Sequence, residues 1–182
     1  MHKDASPVAP IPMPSPMPEK TEPKLTLEQL RALPRYEKDF ETPEGAVLCL
    51  EDACRRRSIE SAVACKHFMI EGILMLVNYD PDLARDPKLR ERNALLAERT
   101  YRREITEAWP DLEGAESFFL GSEPYLDGVV VVKELRRLRD GTFEKLNLLV
   151  AKTRDGWRVL NPVTDDELGD DAAGDPPLSV RP

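Results

Sequence analysis

From Thr42 onward the chain uses its helix formers first and its strand formers last. Helical periodicity fills residues 42 to 108, and short strand-like runs divided by tight turns fill residues 117 to 161. A chain ordered this way does not alternate strand and helix into a parallel sheet. It builds an antiparallel meander with helices laid over it, an α+β architecture.

Local signals place the pieces. A short helical piece, Thr26–Leu33, is stopped by Pro34. Thr42 offers a hydroxyl N-cap, Pro43 suits the first helical position, and Glu44 lies near the positive end of the dipole. Ala46, Val47, Leu50, Ala53 and Cys54 then recur on one helical face, and Arg55, Arg56 and Arg57 complement the C-terminal end. Ser58 starts a second helix with a bend expected near Lys66-His67 or Gly72. A third helix, rich in strong formers, spans about Pro87 to Ala108 and ends at Pro110. Strands are expected at Ser117–Pro124, Val129–Leu138, Phe143–Lys152 and Trp157–Asn161. The turns Asp140-Gly141 and Asp155-Gly156 join the last three. Three main helices over a curved antiparallel sheet is the fold this pattern predicts.

The ends differ in kind from the middle. Residues 1–23 hold seven prolines, which fix φ and remove donors, so a proline-rich disordered leader is expected there. Residues 164–182 carry six acids against Arg181 and form an acidic disordered tail by composition. The formal charge of −8 resides mostly in that tail. The body, residues 24–163, is close to neutral and lacks the basic field that attracts phosphates, which excludes nucleic acid as an expected partner. No apolar run is long enough to span a bilayer, so no membrane partner is expected and a cytoplasmic location is the default. Cys49, Cys54 and Cys65 are odd in number and lie in apolar helical pattern. They read as small core residues rather than as a disulfide framework, and their spacing suits no zinc site. No metal and no cofactor are expected.

Several segments together carry a resemblance. Residues 42–68, with Thr-Pro-Glu-Gly-Ala-Val-Leu followed by Glu-Asp-Ala-Cys-Arg-Arg-Arg-Ser-Ile-Glu-Ser-Ala-Val-Ala-Cys-Lys-His-Phe, the long third helix and the Asp-Gly-Trp-Arg-Val strand are similar to the NTF2-like superfamily. Within it they most resemble the NTF2-fold immunity proteins of bacterial polymorphic and type VI toxin systems. The resemblance covers residues 42 to 162. It implies a cone of helices in a strongly bent sheet and a protein that neutralises a cognate secreted toxin by binding to it.

Such inhibition needs a packed patch with a few anchors and no chemistry of its own. Alternation puts Glu134 and Arg136 on one face of their strand, and Lys145 and Asn147 on one face of the next. With Tyr125, which opens the preceding loop, these five residues are the expected partner-binding patch, provided the two polar faces coincide. A homodimer through the sheet is the competing use of that surface. No catalytic residue is expected. The alternative reading is an isomerase- or dehydratase-type enzyme or a small-molecule binder using the cone's cavity. Its candidates are His67, Asp127 and the hydroxyls of Tyr79, Tyr101 and Tyr125, with Phe68, Trp109, Phe118, Phe119 and Trp157 as lining.

Overall fold

The computed structural model describes residues 19–21, 23–164 and 168. Strand β1 (Glu19–Thr21) precedes helices α1 (Leu27–Arg31), α2 (Pro43–Arg55), α3 (Ile59–Ala64), α4 (Phe68–Tyr79) and α5 (Pro87–Glu107), with a 3-10 turn at Leu83–Arg85. The chain then runs through β2 (Glu116–Leu126), β3 (Val129–Arg137), β4 (Phe143–Thr153) and β5 (Gly156–Val163). The architecture is α+β, and the sheet is antiparallel throughout and not closed.

The helix starts follow the sequence signals. Thr42 Oγ1 accepts from Gly45 N at 3.0 Å, with Pro43 at the first position. Asp86 caps α5 through Lys88 N. The expected second helix is two helices, and the expected bend at Lys66-His67 is a break. His67 caps α4, its Nδ1 accepting from Ile70 N at 3.2 Å. Lys66 forms a parallel bridge with Val159, where Val159 N donates to Cys65 O and His67 N donates to Val159 O. Helix α4 packs on α5 through Gly72, where a Cβ would meet the Ala94 backbone nitrogen at 2.8 Å. Buried Asn93 donates to Gly72 O across the same contact.

Register decides which side chains share a face. Glu134 lies opposite Leu146 and Arg136 opposite Glu144, whereas Leu135 lies opposite Lys145 and Lys133 opposite Asn147. Directly opposed residues point to the same side. One face therefore carries Val132, Leu148, Val150 and Val159, packed with Phe119 against Ala46 and Val47 of α2. The other carries Val129, Val131, Leu149 and Ala151, packed against Ile70 and Leu74 of α4. Further along that second face, Leu135 and Phe118 pack against Leu30 of α1. Helices cover both faces of the sheet. The paired Val129–Val132 run explains itself, because a strand buried on both sides has no polar side to show.

The sheet's two margins differ. β4 carries β1 at Phe143–Lys145 and β5 at Asn147–Thr153 in tandem along one side. The sheet thus begins at Glu19, ahead of the domain start expected at residue 24. β5 is bonded in turn on its far side by Phe40 O, Cys65 O and His67 N. On the opposite margin β2 pairs with β3 alone. Among the described residues, no helix is long and apolar enough to cross a membrane.

Candidate functional site

Two ion clusters lie inside the molecule. In the first, Arg136 Nε donates to Glu134 Oε1 and to Glu51 Oε1, each at 3.0 Å, and its Nη2 donates to Glu134 Oε2 at 3.1 Å. Glu51 also accepts from Ser117 Oγ at 2.7 Å and from Arg55 Nη2 at 3.3 Å. Glu134 is 0% exposed. Its carboxyl is pushed above the usual range by burial first, and by the nearby Glu51, against the opposing pull of Arg136. Two carboxylates and two guanidinium groups thereby tie α2, β2 and β3 together, and every partner comes from within the chain. This is the arrangement in which removing one member leaves an uncompensated buried charge.

In the second cluster, buried Lys66 donates to Leu160 O at 3.1 Å and Asn161 Oδ1 at 3.0 Å, and stands over the Tyr101 ring at 4.9 Å. Glu71 Oε2 lies 3.0 Å from Lys66 Nζ. The contact is an ion pair between two buried side chains.

These positions redistribute the expected patch. Glu134 and Arg136 face α2, and Lys145 and Asn147 point to the opposite side of the sheet, so the two polar faces do not coincide. Glu134, Arg136 and Asn147 are buried, while Lys145 is half-buried. Tyr125 sits at a register shift in β2 and packs on the cluster of Ile70 and Leu74. The five residues do not form one surface.

The enzyme candidates also scatter. His67 is a helix cap whose pKa is lowered by burial, with Nδ1 occupied as an acceptor. Tyr79 is 74% exposed. Tyr101 is taken up by Lys66 and by Phe68, whose ring centroid lies 5.7 Å away. Asp127 is exposed beside Gly128 in the β2–β3 turn. Phe118 and Phe119 point to opposite faces, Trp157 packs beside Val159, and Trp109 packs beside Ile105. Phe119 and Trp157 share one cluster, the others fill different ones, and of these aromatics Phe118 and Phe119 alone line a common groove among the described residues. Among the described residues, no three His, Cys, Asp or Glu side chains gather as a metal site.

A groove among the described residues lies elsewhere. It measures about 250 Å³ and runs along β2 at Glu116–Phe119, walled opposite by Leu30–Arg31 of α1, by Leu33–Tyr36 and by Leu48 of α2. Its floor is apolar. Tyr36 and Phe119 meet edge to face at 5.5 Å. Arg31 closes one side by pairing with Glu116 through Nε and Nη2. Arg35 is exposed on the rim and makes no ion pair among the described residues. Ser117, on the wall, is the hydroxyl that donates to Glu51. The groove depends on Leu33–Tyr36 folding back over a strand more than eighty residues later. Proline spacing hinted only that the short first helix ends there.

No known protein family, no curated protein and no solved structure matches this chain.

Proposed function

We propose that this chain is an NTF2-like immunity protein, a cytoplasmic binding protein that neutralises a cognate secreted bacterial toxin by occluding its active site. The residue patterns quoted for the resemblance motivate the family and the toxin partner. The observation that carries the binding role is the groove along β2, which combines an apolar floor with a charged rim. Inhibition by binding asks for such an anchor pocket surrounded by polar groups and needs no reacting group. The docking surface moves accordingly, from the patch of Tyr125, Glu134, Arg136, Lys145 and Asn147 to the groove. Arg35 is the rim cation best placed to pair with a carboxylate of the toxin.

The test is a pull-down from the native host with the full chain as bait, followed by co-expression with the captured protein. Stoichiometric recovery of a secreted protein whose C-terminal domain kills cells, and rescue of growth by this chain, supports the reading. Failure of this chain to rescue cells from any toxin it binds rejects it.

One feature favours a second reading, in which the groove takes a small molecule. Ser117 lies on the groove wall and on Glu51 Oε1 at once, so an acidic cluster stands one hydroxyl behind the site. Thermal stabilisation by members of a small-molecule panel, lost in Ser117→Val, would shift the assignment to an isomerase- or dehydratase-type or small-molecule-binding site.

A further inference from the structure

A strand at a sheet margin turns the N–H and C=O of every second residue away from its partner. On the β5 margin those groups are used by Phe40 O, Cys65 O and His67 N. On the β2 margin, Glu116–Phe119 make no backbone hydrogen bond beyond those to β3 among the described residues. This outward ladder is the part of β2 that lines the groove.

We propose that the β2 margin binds an extended peptide segment of a partner protein, which pairs with Glu116–Phe119 as an added strand and sets one apolar side chain in the groove. The proposal rests on the binding role argued above and names the chemistry of the bound segment. Main-chain pairing supplies affinity in this mode, and a side-chain pocket supplies specificity. The length is limited by the strand itself. Leu120 has no partner in β3, lying at a register shift, and Pro124 has no N–H to donate, so the usable ladder ends after Phe119. An acidic residue on the segment meets Arg35, since Arg31 is already engaged by Glu116. Charge decides between occupants: a second copy of β2 would bring a second Arg35 to the same rim, whereas a separate acidic segment meets that cation with opposite charge.

The experiment selects binders to the full chain from a phage-displayed library of random heptapeptides. The best binder is synthesised and followed by amide hydrogen exchange of the protein. Protection of alternate amides within Glu116–Phe119 is expected, together with a period of two in the peptide. Backbone N-methylation at every second position should weaken binding about tenfold, and little in between. Arg35→Glu should select against acidic peptides while leaving the fold intact. Binders that protect another surface, or N-methyl effects without that period, overturn the proposal. So does protection of the β2 margin by self-association as protein concentration rises, which assigns the margin to a second copy. Failure of the two readings is separable. If the chain rescues cells from a toxin while the complex leaves Glu116–Phe119 exchange unchanged, the added strand is wrong and the immunity role stands. Peptide pairing without toxin neutralisation gives the reverse.

Discussion

The two margins of this sheet are treated in opposite ways. At one, β1 and β5 share β4 end to end, and β5 is closed again by Phe40 and the Cys65–His67 link. At the other, β2 lines a groove and pairs with β3 alone among the described residues. Exposed strand margins invite pairing with other chains, and proteins usually blunt them. Here the bulge at Leu120 and the proline at 124 blunt the distal half of β2, while Glu116–Phe119 line the groove. One margin holds the helical layer to the sheet. The other lines the groove proposed above as the binding site.

The largest effect expected on that contrast comes from behind the open margin. Arg136→Ala should cost about 3–5 kcal/mol, because Glu51 and Glu134 are left buried without their cation. Chemical denaturation reads it, and a loss under 1 kcal/mol would break the claim that this cluster anchors β2 and β3 to α2. Next comes the sealed margin. Gly156 has φ 101° and its Cβ would meet Phe40 O at 2.5 Å, so Gly156→Ala should cost roughly 2 kcal/mol or more. It should also speed exchange of the Trp157 amide, which donates to Phe40 O.

Protonation sharpens the comparison further. Burial holds Glu134's folded pKa above its ordinary 4.5, so folding takes up a proton over that interval. The stabilisation is complete below the unfolded pKa and is lost as pH rises through the folded one. The groups facing it are Arg136 and Glu51, with Arg55 and Ser117 on Glu51. Glu134→Gln should therefore flatten the decline of stability above about pH 4.5, and identical pH profiles for both proteins would contradict the assignment. The smallest effect is at Arg57, the one non-glycine residue with positive φ among those described (50°). It occupies the left-handed position after α2, with Arg57 N bonded to Cys54 O and Ser58 N to Ala53 O. Arg57→Gly should stabilise the protein by about 1 kcal/mol, read as a raised melting temperature.

Much of the fold was legible because its signals are local. Thr42-Pro43 marks a helix start, and Asp140-Gly141 and Asp155-Gly156 mark hairpins whose glycines take positive φ. What stayed hidden was set at long range. Alternation paired Glu134 with Arg136 correctly, but only inter-strand register puts Lys145 and Asn147 on the other face. The inward turn of Glu134 and Arg136 depends on Glu51 of α2, more than eighty residues away, which no window around β3 contains. The break at His67 depends on Val159, and β1 depends on a pairing that proline-rich composition masks. The groove joins the α1–α2 link to β2 and has no local signature at all.

The central claim is that one margin is sealed and the other open, and residue-resolved hydrogen exchange of the free full chain tests it most directly. Amides of Trp157, Val159 and His67, all bonded at the β5 margin, should exchange only through large-scale opening. Alternate amides within Glu116–Phe119 should exchange faster by orders of magnitude. Slow, uniform protection along β2 would mean that its margin is already closed, and the recognition site proposed there would have to be abandoned.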